Sequence, residues 1–407
     1  MSGLLIIGAS YAGVQAAISA REQGYTAAIR IVADELHLPY LRPPLSKAYL
    51  SGSVEDHSLF LRGEPFFAAL QIELVLGKRA VQIDRATQSV ALDDGSLLQY
   101  ETLLLATGSR ARRLAVPGAD SAEIVYLRTL DDALALKPRL AAAKAVVIIG
   151  GGFIGLEVAA TAAKAGKTVT LLEAAPRLLE RAVAPGISQF LLALHQRHGV
   201  DVRLNQTVHA ISAAADGSHV VTSASGDVAS GDLIVAGVGG IANDEIARDA
   251  GIACSNGIDV DDCGRTDAPD IYAAGDCANH HSRHARRRVR LESVQNATDQ
   301  GKAVGHAVAG KPEAYDSVPR FWSDQYDVKL QIVGLSEPQD IPIIRGDVDQ
   351  GRFSVFYFRS SVLCAVDSIN KPGDQMIARR LIASAISPTL EQAADPAFNL
   401  KTLDVST

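Results

Sequence analysis

The mid-chain stretch Val146–Glu157, VVIIGGGFIGLE, carries the clearest chemical signature in the chain. Gly150, Gly152 and Gly155 fall in a G-x-G-x-x-G spacing, with Phe153 and Ile154 between the last two. Before them runs an apolar stretch, Val146–Ile149, and after them Leu156–Ala165 has helical composition. A turn of this kind lets an anion approach the free N–H groups of a helix N-terminus, where the dipole favours negative charge. Glu173 closes the next apolar run, Val169–Leu172, about 20 residues on, the distance at which a carboxylate meets a ribose hydroxyl. Together these read as a strand–turn–helix–strand unit that takes a dinucleotide. It begins in mid-chain, so another unit precedes it.

That earlier unit has its own fingerprint. Leu4–Ile7 reads as a strand running into Gly8-Ala9-Ser10-Tyr11-Ala12-Gly13, and Val14–Gln23 as the following helix. Ser10 takes the middle glycine position, where a Cβ narrows the approach of a pyrophosphate. Ile29–Ala33 is the next strand and ends in Asp34-Glu35, either of which suits the ribose, with Asp34 favoured. Two such fingerprints arise by chance far less often than one.

The elements around them supply further polar groups. In Arg42-Pro43-Pro44-Leu45-Ser46-Lys47 the prolines set an extended turn that orients Lys47; a rigid surface loop with a solvated lysine is the plainer reading. Leu103–Ala106 reads as a strand ending in Thr107-Gly108-Ser109, with backbone N–H groups able to face a ligand. Asp232–Ala236 is a buried strand ending in Gly237-Val238-Gly239. Ile271–Ala274 leads into Gly275-Asp276-Cys277-Ala278, read as an acid at a helix start, for a ligand hydroxyl or simply as an N-cap. From Val318 the pattern turns antiparallel, with strands over Val328–Val333, Arg352–Phe358 and Val362–Ile369 and a helix over Pro372–Ile386. The segment Arg283–Arg290, RHARRRVR, is a basic cluster in a chain of net charge −7, a solvated loop or a docking surface for an acidic partner.

Composition narrows the class. At 407 residues the chain is long for one core, and 47% hydrophobic with 21% charged residues is ordinary for a globular enzyme. The net negative charge argues against a general nucleic-acid binder. No apolar run approaches a membrane span, and Met1-Ser2-Gly3 lacks the basic start of a leader, so the expectation is a cytoplasmic protein. Cys254, Cys263, Cys277 and Cys364 include no C-x-x-C or C-x-x-x-x-C pair, so no metal site and no redox dithiol is expected.

Taken together, the chain resembles the FAD-dependent ferredoxin–NAD reductases of bacterial oxygenase systems, the putidaredoxin-reductase-like group with the glutathione-reductase-type fold. GASYAG, RPPLSK, ATGSR, YLRTL, VVIIGGGFIGLE, TDAPDIYAAGDCA, LESVQNA and FWSDQY occur in the family's order, nearly end to end. The resemblance implies an α/β chain of two Rossmann-like domains plus a C-terminal α+β domain. An FAD domain (1–112 and 243–318) would be interrupted by an NAD domain (113–242), with residues 319–407 covering the flavin. For FAD it implies Gly8–Gly13, Asp34 or Glu35, Arg42, Lys47 and Ala80. It adds Ala106, Thr107, Gly108, Arg128, Gly275, Asp276, Ser293 and Val294, and Trp322 as an aromatic cover whose plainer reading is a core residue. For NAD it implies Gly150–Gly155, Glu157, Glu173, Arg181 and Gly237–Gly239. The chain departs from the family at Ser10 and at Ala242, where a proline is usual.

The same resemblance implies a flavoprotein oxidoreductase that moves electrons from NADH through FAD, singly, to a [2Fe–2S] ferredoxin feeding a cytochrome P450 monooxygenase or a Rieske-type dioxygenase. Lys47, Glu157 and Trp322 are the expected catalytic residues, with Glu157 paired to Lys47; a simple helix-start acid is the alternative for Glu157. Glu173 argues for NADH over NADPH, a preference that Arg177 and Arg181 would soften. Arg283, Arg286, Arg287, Arg288, Arg290 and Lys302 are the expected ferredoxin surface on a monomer or weak homodimer. An NADH oxidase, a rubredoxin reductase and an NADH-sensing flavoprotein are the competing readings.

Overall fold

Each glycine turn joins the C-terminal end of a central strand of its own parallel sheet, Gly3–Ile7 or Ala145–Ile149, to the helix that follows it, because apolar strands buried on both faces leave only their C-terminal ends for polar work. The computed structural model describes residues 3–120 and 124–403. Met1 and Ser2, which entered the reading of the N-terminus, lie outside the described residues, as do the last four residues of the tail. The chain sorts into two units, Met1–Leu41 with Leu59–Arg110 and Ile241–Phe321, and Arg42–Ser58 with Ala111–Gly240 and Trp322–Thr407.

In the first unit five parallel strands stand in the order Ile271–Ala273, Thr102–Leu105, Gly3–Ile7, Ala28–Ala33, Ile72–Leu76. The late strand Ile271–Ala273 thus completes a sheet begun by the first residues of the chain. Leu4, Ile6, Ile29 and Ile31 face one core, and Leu5, Ile7, Leu103 and Leu105 face the other. Helix Tyr11–Glu22 packs against helix Val294–Val308. Their backbones nearly touch: a Cβ on Gly301 would stand 2.4 Å from the Ala12 carbonyl, and one on Gly305 2.6 Å from that of Ala16.

In the second unit the parallel order is Val200–Arg203, Thr168–Leu172, Ala145–Ile149, Leu233–Ala236, Ile124–Val125. The C-terminal part is a five-stranded sheet ordered Arg320–Gln325, Val328–Gly334, Val362–Ile369, Arg352–Arg359, Ile341–Asp347, carrying the helix Pro372–Ala383. Among the described residues no helix is long and apolar enough to cross a membrane.

Two sequence expectations are corrected. Asp276 does not start a helix. Gly275 has φ +86°, and Ala278–Ser282 forms a strand, parallel to Ile258–Val260 and antiparallel to Arg287–Arg290. The helix waits until Val294, where the Ser293 side chain accepts from the Asn296 N–H. The basic cluster is accordingly a hairpin turn and strand instead of a loop. Elements that patterning did not reveal include the helices Leu130–Ala142 and Pro185–Arg197, and the edge strand Ile341–Asp347, whose proline and mostly exposed side chains hide its period.

Asp367 is buried among these strands, accepting from the Tyr357 hydroxyl at 2.6 Å while its Oδ1 has no partner. Burial pushes its pKa up to about 7, against the partial opposition of that hydrogen bond. Unfolding returns the group to the ordinary carboxylate range, so the folded state loses stability as pH rises from about 4 to about 7 and then levels off. Asp367→Asn is expected to raise stability at pH 8 by about 2 kcal/mol, a discount on the several kcal/mol of full linkage. The advantage disappears below pH 4, as read by denaturant melts across pH.

Candidate functional site

The two turns share one construction. Gly8 N–H bonds the Val32 carbonyl and Gly150 N–H bonds the Leu172 carbonyl, both at 2.8 Å. Both glycines have positive φ, +117° and +108°. A Cβ on Gly8 would stand 2.1 Å from the Ala106 carbonyl oxygen, and one on Gly150 2.4 Å from that of Gly237. Each turn therefore presses its backbone onto the end of a neighbouring strand. Helices Tyr11–Glu22 and Phe153–Lys164 have no side-chain cap, so their first N–H groups stay open to an anion. These cradles suit the pyrophosphates of two dinucleotides.

Ser10 sits at φ −120° and ψ −162°, extended backbone open to any residue. The matching Gly152 has φ −81°, and a Cβ there would meet only the Gly237 carbonyl, at 3.9 Å. The serine departure costs no backbone strain. In the first unit Ala12, Ala106, Thr107, Gly275 and Ala297 gather around the Gly8 turn, with a Cβ on Gly275 placed 3.1 Å from the Ala12 methyl. The Gln300 side chain accepts from Gly275 N–H at 2.8 Å. Ser109 Oγ lies 3.4 Å from the Asp276 carboxylate, and Arg290 donates to the Asp276 carbonyl at 2.9 Å. Ala80 opens the strand Ala80–Asp84, and Val294 opens its helix.

The acids differ between the turns. Glu173 directly follows Leu172, and its carboxylate accepts from Gly151 N–H and Ala175 N–H. In the first unit the residue directly after Val32 is Ala33, and Asp34 is one further on. Asp34 is exposed, whereas Glu35 accepts from the Tyr40 hydroxyl. Arg177 is tied to Val183, Ser188 and Glu180 within its own loop. Arg181 is exposed, and its guanidinium lies 3.9 Å from where a Gly239 Cβ would be. The Gly237–Gly239 segment, which lacks a following proline at Ala242, is held instead by Arg112 N–H on the Gly239 carbonyl at 2.9 Å.

The second unit also contains Arg42, Lys47, Arg128, Glu157 and Trp322. Pro43 and Pro44 open a short 3-10 helix, Pro43–Ser46, after which Lys47 Nζ meets Glu157 Oε1 at 2.8 Å. Glu157 is only 3% exposed. Ser46 Oγ donates to its Oε2 at 2.5 Å and Ser323 Oγ to its Oε1 at 2.7 Å. Thr161, one turn further along the helix, bonds the Ser46 carbonyl at 3.0 Å. Arg42 donates to the Arg128 carbonyl at 2.9 Å. Trp322 is 39% exposed and no core residue, for its strand turns Ser323 and Gln325 inward in alternation. Ser46, Ser323 and Gln325 escaped the sequence reading. No pattern in the sequence marked them; the alternation of Ser323 and Gln325 inward along FWSDQY is visible only in the fold.

The basic hairpin divides its cations. Arg283 pairs with Asp316, Arg288 donates to the Asn279 carbonyl at 2.7 Å, and Arg290 also binds Glu292. Arg286, at the tip with φ +53°, together with Arg287 and Lys302, is exposed. All four cysteines are free. Burial is the leading cause that pushes their thiols up, to about 11 for Cys254 and about 12 for Cys364, and upward for Cys263 and Cys277.

The profile of the pyridine nucleotide-disulphide oxidoreductases matches residues 2–301, and a reductase C-terminal profile matches residues 320–404. Rhodocoxin reductase of Rhodococcus erythropolis is 45% identical over 398 residues, 98% of this chain and 93% of the relative. The solved ferredoxin reductase for the CYP199A2 system of Rhodopseudomonas palustris superposes with a TM-score of 0.96 at 43% identity, covering 100% of both chains. A covalent putidaredoxin reductase–putidaredoxin complex gives 0.95 at 40% identity, over 99% of this chain and 98% of that one.

The Gly150 turn makes a direct prediction. Gly150→Ala is expected to destabilise by about 3 kcal/mol or more, through its positive φ and the clash with Gly237. Gly152→Ser should stay within about 0.5 kcal/mol of the parent while weakening NADH binding. Thermal melts and fluorescence titration separate the two effects.

Proposed function

The chain belongs to the pyridine nucleotide-disulphide oxidoreductase family, and on that premise we propose that it is a ferredoxin–NAD(+) reductase of an oxygenase system. It is an FAD-dependent oxidoreductase that uses NAD(H). FAD bound here would supply hydride acceptance and single-electron release, for a balance in which NADH and two oxidised ferredoxins become NAD(+), a proton and two reduced ferredoxins. The observation that carries the reading is the presence of two dinucleotide cradles alongside four thiols that burial holds protonated. The four cysteines are free and include no C-x-x-C or C-x-x-x-x-C pair, which favours an external electron carrier over a dithiol relay. The ferredoxin reductase and the putidaredoxin complex that this chain resembles support a [2Fe–2S] ferredoxin as that carrier.

In this reading the Gly8 turn, Asp34, Ala80, Thr107-Gly108, Asp276, Ser293-Val294, Arg42 and Arg128 hold FAD, with Trp322 as its cover. The Gly150 turn, Glu157, Glu173, Arg181 and Gly237–Gly239 hold NADH. Lys47 stabilises the negative charge that reduction adds, a task for which fixed charge away from water is far more effective than charge in it. Glu157 holds the Lys47 ammonium in place through their 2.8 Å contact and orients the nicotinamide. Glu173 receives the 2′-hydroxyl and repels a 2′-phosphate; Arg177, tied into its own loop, leaves Arg181 as the one cation of that pair with any softening effect. Arg286, Arg287 and Lys302 lead a ferredoxin surface to which Arg283, Arg288 and Arg290 contribute as the braced part of the hairpin. The protein would work in the cytoplasm as a monomer or weak homodimer.

Lys47→Met is expected to slow flavin reduction by NADH tenfold or more, on the order of a lost electrostatic donor; an unchanged stopped-flow rate refutes the role. Assayed across a panel of [2Fe–2S] ferredoxins, reduction should fall with rising salt and fall further in Arg286→Glu with Arg287→Glu. Turnover that is indifferent to both removes the hairpin from the docking surface. Oxygen consumption that is equal with and without ferredoxin would favour an NADH oxidase instead.

A further inference from the structure

Four hydrogen bonds lead away from Glu157 into the C-terminal sheet. Ser323 Oγ meets Glu157 Oε1 at 2.7 Å, and Gln325 Nε2 meets Ser323 Oγ at 3.0 Å. His195 Nε2 lies 2.9 Å from Gln325 Oε1, and the Tyr326 hydroxyl 3.2 Å from His195 Nδ1. Glu157, Ser323, Gln325 and His195 are each no more than 3% exposed, so water does not compete for these partners. The helix Pro185–Arg197 contributes His195, and the strand Arg320–Gln325 contributes Ser323 and Gln325.

The chain has one consistent direction. The Glu157 carboxylate, facing Lys47, only accepts, so Ser323 must donate to it. Ser323 then has lone pairs to offer, which requires the Gln325 amide nitrogen on that side. The Gln325 oxygen consequently faces His195, so Nε2 must carry the ring proton. Nδ1 is left as an acceptor, and the Tyr326 hydroxyl must donate to it. Every proton in the chain points toward the carboxylate, the arrangement in which successive hydrogen bonds polarise and strengthen one another.

We propose that Ser323, Gln325, His195 and Tyr326 form a directional hydrogen-bond chain that holds the Glu157 carboxylate, and through it the Lys47 ammonium, in the orientation that hydride transfer requires. Ser323 and Gln325 are positioning residues, and His195 and Tyr326 anchor the far end. This rests on the role given above to the Lys47–Glu157 pair. Burial lowers the His195 pKa to about 4, so the ring stays neutral, as the chain demands. The Tyr326 ring is itself held by stacking on His198, with centroids 3.6 Å apart and planes at 14°.

The test has two arms on the FAD-loaded protein. In the first, the wild-type ring nitrogens are observed by NMR with labelled histidine, the signal of His195 among the ten histidines being identified by its loss in His195→Leu. The expected form has Nε2 protonated and Nδ1 accepting; an Nδ1-protonated ring overturns the chain. In the second, Ser323→Ala should lower the limiting rate of flavin reduction about tenfold, the loss of one hydrogen bond to a charged group, and Gln325→Leu, which frees Ser323 Oγ from its neutral partner, should lower it by a smaller factor. The NADH dissociation constant should not change, Ser323→Thr should restore the rate, and the double variant should be no slower than Ser323→Ala. Wild-type rates in both single variants, with Lys47→Met slow, refute this chain and leave the parent role standing. A wild-type rate in Lys47→Met refutes the parent role instead.

Discussion

A carboxylate that is 3% exposed cannot remain charged without partners, and the arrangement around Glu157 follows from that requirement. Removing one partner of such a buried pair typically costs several kcal/mol, because the remaining charge is left uncompensated. Here the compensation comes from two places in the chain outside the helix that bears the acid: Ser46 with Lys47, and Ser323 on the C-terminal sheet. Satisfying one charge thereby ties together segments separated by more than a hundred residues in sequence. It also explains why the short segment Arg42–Ser58 sorts with the second unit and not with the strands that flank it.

The two dinucleotide turns obey a different constraint, the close approach of backbone to backbone. Gly8 and Gly150 are pressed against carbonyls at the ends of neighbouring strands, which sets where each uncapped helix begins. The middle position is not under that pressure. Its glycine leaves room for a ligand and is not demanded by the fold, so a serine can stand at residue 10 in extended backbone. The turns are alike in register but not in their acids: the position of Glu173 is occupied by Ala33 in the first unit, and Asp34 follows it.

On the surface, the basic hairpin illustrates how structure redistributes a run of like charges. Arg290 steadies the carbonyl of Asp276 and Arg288 that of Asn279, which keeps the strand Ala278–Ser282 and the turn before it in place. Arg283 and Arg288 stay exposed although each pairs with an acid, and Arg290 is the partly buried arginine of the hairpin. The same segment therefore braces the turn of Gly275-Asp276 through Arg290 while presenting charge at its tip.

By itself the sequence determined the fold class and the two strand–turn–helix glycine turns, since these depend on local properties: apolar runs of strand length and glycines at fixed spacing. It also carried the family resemblance, through motifs that keep their order along the chain. It did not reveal that Gly275–Ala278 leads into a strand, because pairing with Ile258–Val260 and Arg287–Arg290 overrides a local pattern that resembles a cap. Nor did it reveal Ser46 and Ser323 as partners of one carboxylate, with Gln325 and His195 bonded in turn behind Ser323. Hydroxyl, amide and imidazole side chains have no spacing rule of their own. Only tertiary packing, by shutting water away from Glu157, decided which of them must bond to which and in what direction.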